Sequence, residues 1–293
     1  MRIWFPLAIF LSVAWLLLVS LAASRGGDNG GRLSSTAAPD AAGLLQESRD
    51  TMLGLNSFQL QLSSVWEGRE VTYSVAWQSP DSFHVLYPVL VEESSSENPE
   101  PVITDKGLYE GIAIGDVVYG RQCTAEGEGC QAWQEGSREN IYVPVAPPEM
   151  EPFWTMELLG LMSDAEIVGQ EDVEGVACTR IRGRANPMQA MVRSWRHAEG
   201  VRGPIYWGEE CTTAPTAPGG QTQEDCHQTT LDEYIAGYED SIRELDQNPL
   251  MVEAWIGRDD SLLRRLQFPQ GEQPAEGSVT FSQFDEVTVQ PPK

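Results

Sequence analysis

From Phe58 onward, apolar side chains fall on every second position. Phe58, Leu60 and Leu62 alternate with Gln59, Gln61 and Ser63, and Val71, Tyr73, Val75 and Trp77 alternate with Thr72, Ser74 and Ala76. A period of two sends alternate side chains to opposite faces, so these runs predict a hairpin with one apolar and one wet face, turning near Glu67-Gly68. Ser79-Pro80-Asp81 reverses the chain, and Phe83, Val85 and Tyr87 continue the alternation, which puts His84 on the outward face. Ile112 and Ile114, then Gly115-Asp116, then Val117, Val118 and Tyr119 predict a tight hairpin, with Trp133 resuming that strand. Ahead of all this the period is 3.6. Leu44, Leu45, Ser48, Met52 and Leu55 share one side of a helix that Asp40 caps and Asn56-Ser57 ends.

Residues 92–101 and 144–152 are rich in Ser, Glu and Pro and read as loops. A short helix is predicted over 153–161, then strands over 165–169 and 176–181 joined across Glu171-Asp172, then a helix over 187–197. Residues 230–245 read as one helix, with Leu231, Tyr234, Ile235, Tyr238, Ile242 and Leu245 on one face. Strands follow over 252–256, 262–268 and 278–289, the first two joined by Gly257-Arg258-Asp259-Asp260. Helix, many strands, helix and more strands spell an α+β fold of sequential antiparallel hairpins. The chain shows neither a repeat of 20–50 residues nor an internal linker long enough to force a second domain, so 40–293 is expected to be one domain.

Residues 3–23 carry no charge and follow Arg2. As a helix they would be about 30 Å long, enough to cross a bilayer. Leu21-Ala22-Ala23-Ser24 is also a small-residue cleavage site. Signal peptide and transmembrane signal anchor both stay open for 1–23, and both place the rest outside the cytoplasm, held in the cell envelope or secreted after cleavage. No cysteine follows the segment, so a lipid-modified N-terminal cysteine is not expected. Residues 24–39, rich in Gly, Ser and Ala, read as a flexible tether.

Charge narrows the partners. Formal net charge is −25, and since 1–23 carry only the single positive Arg2, the remainder stands at −26. Such a chain repels phosphate backbones, so nucleic acid is not expected as a partner. The acidic excess reads first as a solvated outer face. Within it, Arg180, Arg182, Arg184, Arg193, Arg196 and Arg202 stand out; pairing with the surrounding carboxylates is the simpler reading, and an anion or headgroup contact is the alternative.

The five cysteines bear on compartment. Cys123 and Cys130 flank a turn-like insert, and Cys211 and Cys226 flank a Pro/Gly-rich loop. Either pair would make a reasonable disulfide in an oxidising compartment, with connectivity left open by sequence. Such local pairing leaves Cys178 over, in a strand-like run, as a small core residue. Cys211, Cys226 and His227 match no usual zinc spacing, so no metal is expected.

Signals for catalysis are poor. The sequence contains no Gly-x-Ser-x-Gly, no His-Glu-x-x-His and no Gly-rich phosphate loop. His84, His197 and His227 stand in no recognisable triad, and Glu171-Asp172 and Asp259-Asp260 look like turn residues. No catalytic residue, no cofactor and no enzymatic activity are expected.

One family resemblance covers most of 40–292. It is carried by Leu55-Asn56-Ser57-Phe58-Gln59-Leu60, by Ala113-Ile114-Gly115-Asp116-Val117-Val118-Tyr119, and by Ala165-Glu166-Ile167-Val168-Gly169 running on to Val176-Ala177-Cys178. Val252-Glu253-Ala254-Trp255-Ile256-Gly257 and Val279-Thr280-Phe281-Ser282-Gln283-Phe284 complete it. The order of these pieces resembles the LolA/LppX group of bacterial envelope lipid and lipoprotein carriers. The resemblance implies a curved antiparallel sheet, an open half-barrel wrapped around helices, with an apolar cavity for acyl chains or lipidated peptides. The chain departs from the group in lacking a lipid-anchoring cysteine and in its additions near 123–130 and 203–228. The expected function is a non-enzymatic lipid- or lipoprotein-binding carrier, its partner a lipid or acylated peptide. The alternative is a membrane-tethered sensor or interaction module of the same fold, its partner an envelope membrane protein. Cavity candidates are the large inward residues Phe58, Leu60, Tyr73, Val75, Trp77, Phe83, Tyr87 and Phe281, with plain core the simpler reading for any single one of them.

Overall fold

The computed structural model describes residues 40–66, 69–93, 102–124, 129–137, 153–202, 209–214, 223–269 and 277–293. The expectations for 1–39, for the loop at 144–152 and for most of the loop at 92–101 lie outside them. No described helix is long and apolar enough to cross a membrane.

The chain opens with α1 (Ala41–Leu53), started by Asp40, whose carboxylate accepts from the Ala42 N–H as an N-cap should. Six strands follow: β1 (Ser57–Trp66), β2 (Arg69–Gln78), β3 (Ser82–Glu93), β4 (Val102–Ile114), β5 (Val117–Cys123) and β6 (Gln134–Ser137). Next come α2 (Trp154–Leu161), β7 (Ser163–Val173), β8 (Val176–Ala185), α3 (Pro187–Arg202), and the pair β9 (Glu209–Ala214) and β10 (Gln223–Gln228). The chain then forms α4 (Leu231–Ala236), α5 (Glu239–Gln247), β11 (Leu250–Gly257), β12 (Leu263–Gln267) and β13 (Gly277–Ser282).

Eleven strands make one sheet in the order β6-β5-β4-β3-β2-β1-β13-β12-β11-β8-β7, every pair antiparallel, and its two ends do not meet. The late strand β13 pairs with β1, which joins the N-terminal meander to the C-terminal hairpins in a single surface.

One face of that surface wraps the helices. A single core runs from Val118 on β5 to Ile181 on β8 and takes in Met52, Met156, Leu158 and Trp195 from α1, α2 and α3. Helix α2 shows why the sheet must curve. At its start Phe153 meets Trp77 on β2, and at its end Met162 lies so close to Gly183 on β8 that a Cβ there would be 3.0 Å from it. A flat sheet would hold β2 and β8 about 24 Å apart. The helix rises only about 14 Å over that stretch. Curvature, together with side-chain reach, closes the difference. The result is the open half-barrel α+β fold expected from the sequence.

Several boundaries differ from the sequence reading. Strand β4 begins ten residues before Ile112, and β3 runs on to Glu93 into what reads as loop. The β7–β8 turn sits at Glu174-Gly175, both at positive φ, with the Gly175 N–H donating to Asp172; Glu171-Asp172 are the last turns of strand rather than the corner. Helix α3 extends to Arg202. The single helix expected over 230–245 is two, because Gly237 ends α4 while Tyr234 and Tyr238 keep their mutual contact across the break. The segment 203–228, read as a Pro/Gly loop, holds the paired strands β9 and β10, whose sequences are polar and so lack an apolar period. The last strand stops at Ser282, since Gln283 and Asp285 take positive φ and turn the chain off the sheet.

Candidate functional site

Register builds the concave wall row by row. Phe58 on β1 pairs with Trp77, Trp77 with Phe83, Phe83 with Ala113 and Ala113 with Val118, giving one row across five strands. The next row is Phe281, Leu60, Val75, Val85, Gly111 and Gly120. A third carries Leu62 and Tyr73, then Tyr87, Tyr109 and Gln122. The rings touch along these rows: Phe281–Phe58 at 5.8 Å, Phe58–Trp77 at 5.1 Å, Tyr73–Tyr87 at 6.4 Å and Tyr87–Tyr109 at 5.1 Å between centroids. Contacts at 4.5–7 Å add roughly 0.5–1.5 kcal/mol each beyond the area they bury.

The eight cavity candidates therefore lie on one face, and each is between 0 and 5% exposed. They belong to the same continuous core as the helices. Three residues that the sequence reading passed over complete the wall. Tyr109 ends the tyrosine row and is only half-buried, and its hydroxyl is pushed up to about 12 by burial. Gly111 and Gly120 pair directly, are buried and present no side chain between the Tyr109 row and the Ala113 row. Glycine inside a strand often marks a place where a ligand or another backbone approaches closely. The missed signal was Tyr109-x-Gly111-x-Ala113, a period of two that carries too little apolar bulk to read as strand.

The opposite face differs in chemistry. A cleft of about 400 Å3 lies there, lined by Gln59, Ser74, Ala76, His84, Leu86 and the C-terminal segment from Gln283 to Thr288. That segment is tied down by Asp285 N–H to Ser57 O, Val287 N–H to Ser57 Oγ and Val289 N–H to Gln78 Oε1. His84 faces outward as expected and meets Glu110 at 2.8 Å, and Glu110 also accepts from Arg121.

Solved structures similar to this chain include LprF from Mycobacterium bovis, at 15% identity and a TM-score of 0.47, covering 88% of this chain and 99% of that one. Another is the Mycobacterium tuberculosis lipoprotein LppX, at 15% identity and a TM-score of 0.40, covering 87% of this chain and 100% of that one. A third is the LolA superfamily protein NE2245 from Nitrosomonas europaea, at 6% identity and a TM-score of 0.23, covering 86% of this chain and 96% of that one. No family model matches the chain, and no curated protein does. The half-barrel itself rests on the strand order and register above.

Cys123 and Cys130 form a disulfide beside the β4–β5 hairpin. Cys211 and Cys226 are direct partners across β9–β10, and their side chains lie outside the described residues. Cys178 is a buried free thiol on the outer face of β8, next to Val173 and Trp255. Of the six arginines, Arg180 and Arg182 both hold Glu253, and Arg196 pairs with Asp232, in keeping with the simpler reading of that cluster. The side chain of Arg202 lies outside the described residues. No group of three or more metal-ligating side chains comes together among the described residues.

Proposed function

We propose that this chain holds the acyl portion of a lipid, or of an acylated peptide, against the concave wall of its half-barrel, without chemical change to it. One observation supports the reading: an aromatic wall that is interrupted by the side-chain-less pair Gly111–Gly120 and continued by Tyr73, Tyr87 and Tyr109 from the buried core towards the surface. Each methylene moved from water onto such a wall contributes roughly 0.8 kcal/mol, so a long chain binds tightly with few polar contacts. In this reading Phe58, Leu60, Val75, Trp77, Phe83 and Phe281 form the apolar bed, and Tyr109 stands at its outer end. The Cys123–Cys130 disulfide supports a place outside the cytoplasm, where such bonds persist. The apolar segment at 3–23 supplies export, as a cleaved signal or as a retained anchor.

Native mass spectrometry of the protein purified from its producing membrane fraction is expected to show bound lipid, and added lipid is expected to raise the melting temperature. Gly120→Val, which places a side chain at the Gly111–Gly120 pair on a strand that favours β-branched residues, is expected to keep the fold and lose the bound lipid. A protein that carries no lipid and does not respond to any would overturn the reading.

A further inference from the structure

Among the described residues, Trp77 brings to the concave face a polar group that its ring contacts do not account for. Trp77 is 4% exposed, and its indole Nε1–H has no hydrogen-bond partner. A buried tryptophan N–H ordinarily finds an acceptor. Leaving one unmade costs about 1–3 kcal/mol. The rings that touch Trp77 are Phe58 at 5.1 Å and Phe153 at 5.2 Å, the latter edge-on at 84°, and neither offers an oxygen. An N–H···π contact to such a ring is a second-order interaction beside a hydrogen bond to a carbonyl. Trp77 stands one row from the Gly111–Gly120 pair, two strands away from Gly111, or about 10 Å across the sheet.

We infer that the Trp77 indole N–H is a specificity donor for the bound molecule and takes a neutral ester carbonyl at the head of an acyl chain. The inference rests on the lipid-binding reading above and adds to it which lipids are preferred. Geometry asks for an acceptor at the indole. Charge decides which kind. The rings that touch Trp77 are uncharged, and the chain as a whole is at −25, so an ionised carboxylate beside them would be buried with no cation among those contacts. An ester carbonyl satisfies the donor without that cost.

The test compares three probes of matched chain length on the full chain: an ester-linked diacylglycerol, its ether-linked dialkyl counterpart, and oleate. Wild-type protein is expected to bind the ester about 5- to 10-fold more tightly than the ether, the worth of one hydrogen bond. Oleate is expected to be weaker than the ester. Trp77→Phe keeps an aromatic ring and removes the donor, so it is expected to bind ester and ether alike. In a 15N spectrum of the wild type, one indole signal is expected to move downfield with the ester and to stay with the ether. An ester-to-ether ratio near one with no indole shift overturns the inference while leaving the lipid-binding reading intact, and it does so even if Trp77→Phe fails to fold. Oleate binding as tightly as the ester overturns the choice of a neutral head. Failure of all three probes to bind counts against the underlying reading itself.

Discussion

The outer face of the sheet twice carries a glutamate held by two basic side chains beside a tryptophan, at opposite ends and with different burial. On β3, β4 and β5, Glu110 accepts from His84 and Arg121, and Arg121 lies over Trp133 at 4.2 Å. On β8, β11 and β12, Glu253 accepts from Arg180 and Arg182, and Trp255 lies between Arg180 at 5.1 Å and Arg265 at 5.6 Å. The Glu110 side chain keeps 16% of its surface, that of Glu253 only 3%. Trp133 is half-buried, whereas Trp255 is 2% exposed and donates its N–H to Glu171. Arginine stems cover apolar surface while their guanidinium groups stay paired, so at the β11 end they roof a small second core on a face that otherwise meets water. The same kind of cluster makes a surface brace at one end and a buried joint at the other. What separates them is which basic side chains flank the carboxylate, a histidine and an arginine or two arginines, and how closely the neighbouring strands crowd it.

That difference predicts unequal costs. Glu253→Ala leaves Arg180 and Arg182 without their shared acceptor and uncovers one side of Trp255. Breaking a buried pair from one side costs about 3–5 kcal/mol, and since both arginines are more than a third exposed, water brings the expected loss to about 2–3 kcal/mol. Chemical denaturation measures it directly. Glu110→Ala removes a carboxylate whose partners already reach solvent, and the expected loss is about 1 kcal/mol or less. Raising salt to molar levels should weaken the Glu110 contribution more than that of Glu253, because buried pairs are screened less. Equal losses at the two sites would show that burial is not what distinguishes them.

The two ends also differ in how plainly the sequence shows them. Where alternate residues are large and apolar, as from Phe58 to Tyr87, the strands, their inward face and the outward place of His84 follow from period two alone. Helix α1 is as plain, since Asp40 and the 3.6 spacing agree. Strand β4 is obscure before Ile112 because its concave positions are Tyr109 and Gly111, and glycine leaves no mark in an apolar pattern although it shapes the wall. Glu253 and Trp255 mislead in another way. They occupy outward positions on β11 and would be read as solvated, yet arginines from β8 and β12 bury them. That pairing is set by register between strands about seventy residues apart, which no local period contains. The break at Gly237 and the exit of the chain at Gln283 are backbone events at single residues, invisible to a pattern that continues through them. The Trp77 N–H belongs to the same class: its partner is decided by what lies opposite it in space.

Cys178 offers the finest probe of the joint at the β11 end. Its thiol is buried beside Val173, Val176 and Trp255, and its Sγ–H donates to the Val176 carbonyl. Burial pushes the thiol up, with Arg264 pulling it down by less. The thiolate is the reactive species, so both access and ionisation oppose modification in the folded state. At pH 8 the native protein is expected to leave Cys178 unmodified by an aromatic disulfide reagent over the time in which the denatured protein reacts fully. The linkage has a sign. Folding resists ionisation of this thiol, so the stability it contributes is whole below the ordinary thiol range and is lost as pH climbs through the raised value. Glu253→Ala should make Cys178 react faster under native conditions, because the roof over Trp255 has lost its tie, whereas Glu110→Ala should leave that rate unchanged. A Cys178 rate that rises in each variant only in step with that variant's loss of global stability would mean that the joint opens by unfolding of the whole sheet and has no local motion of its own.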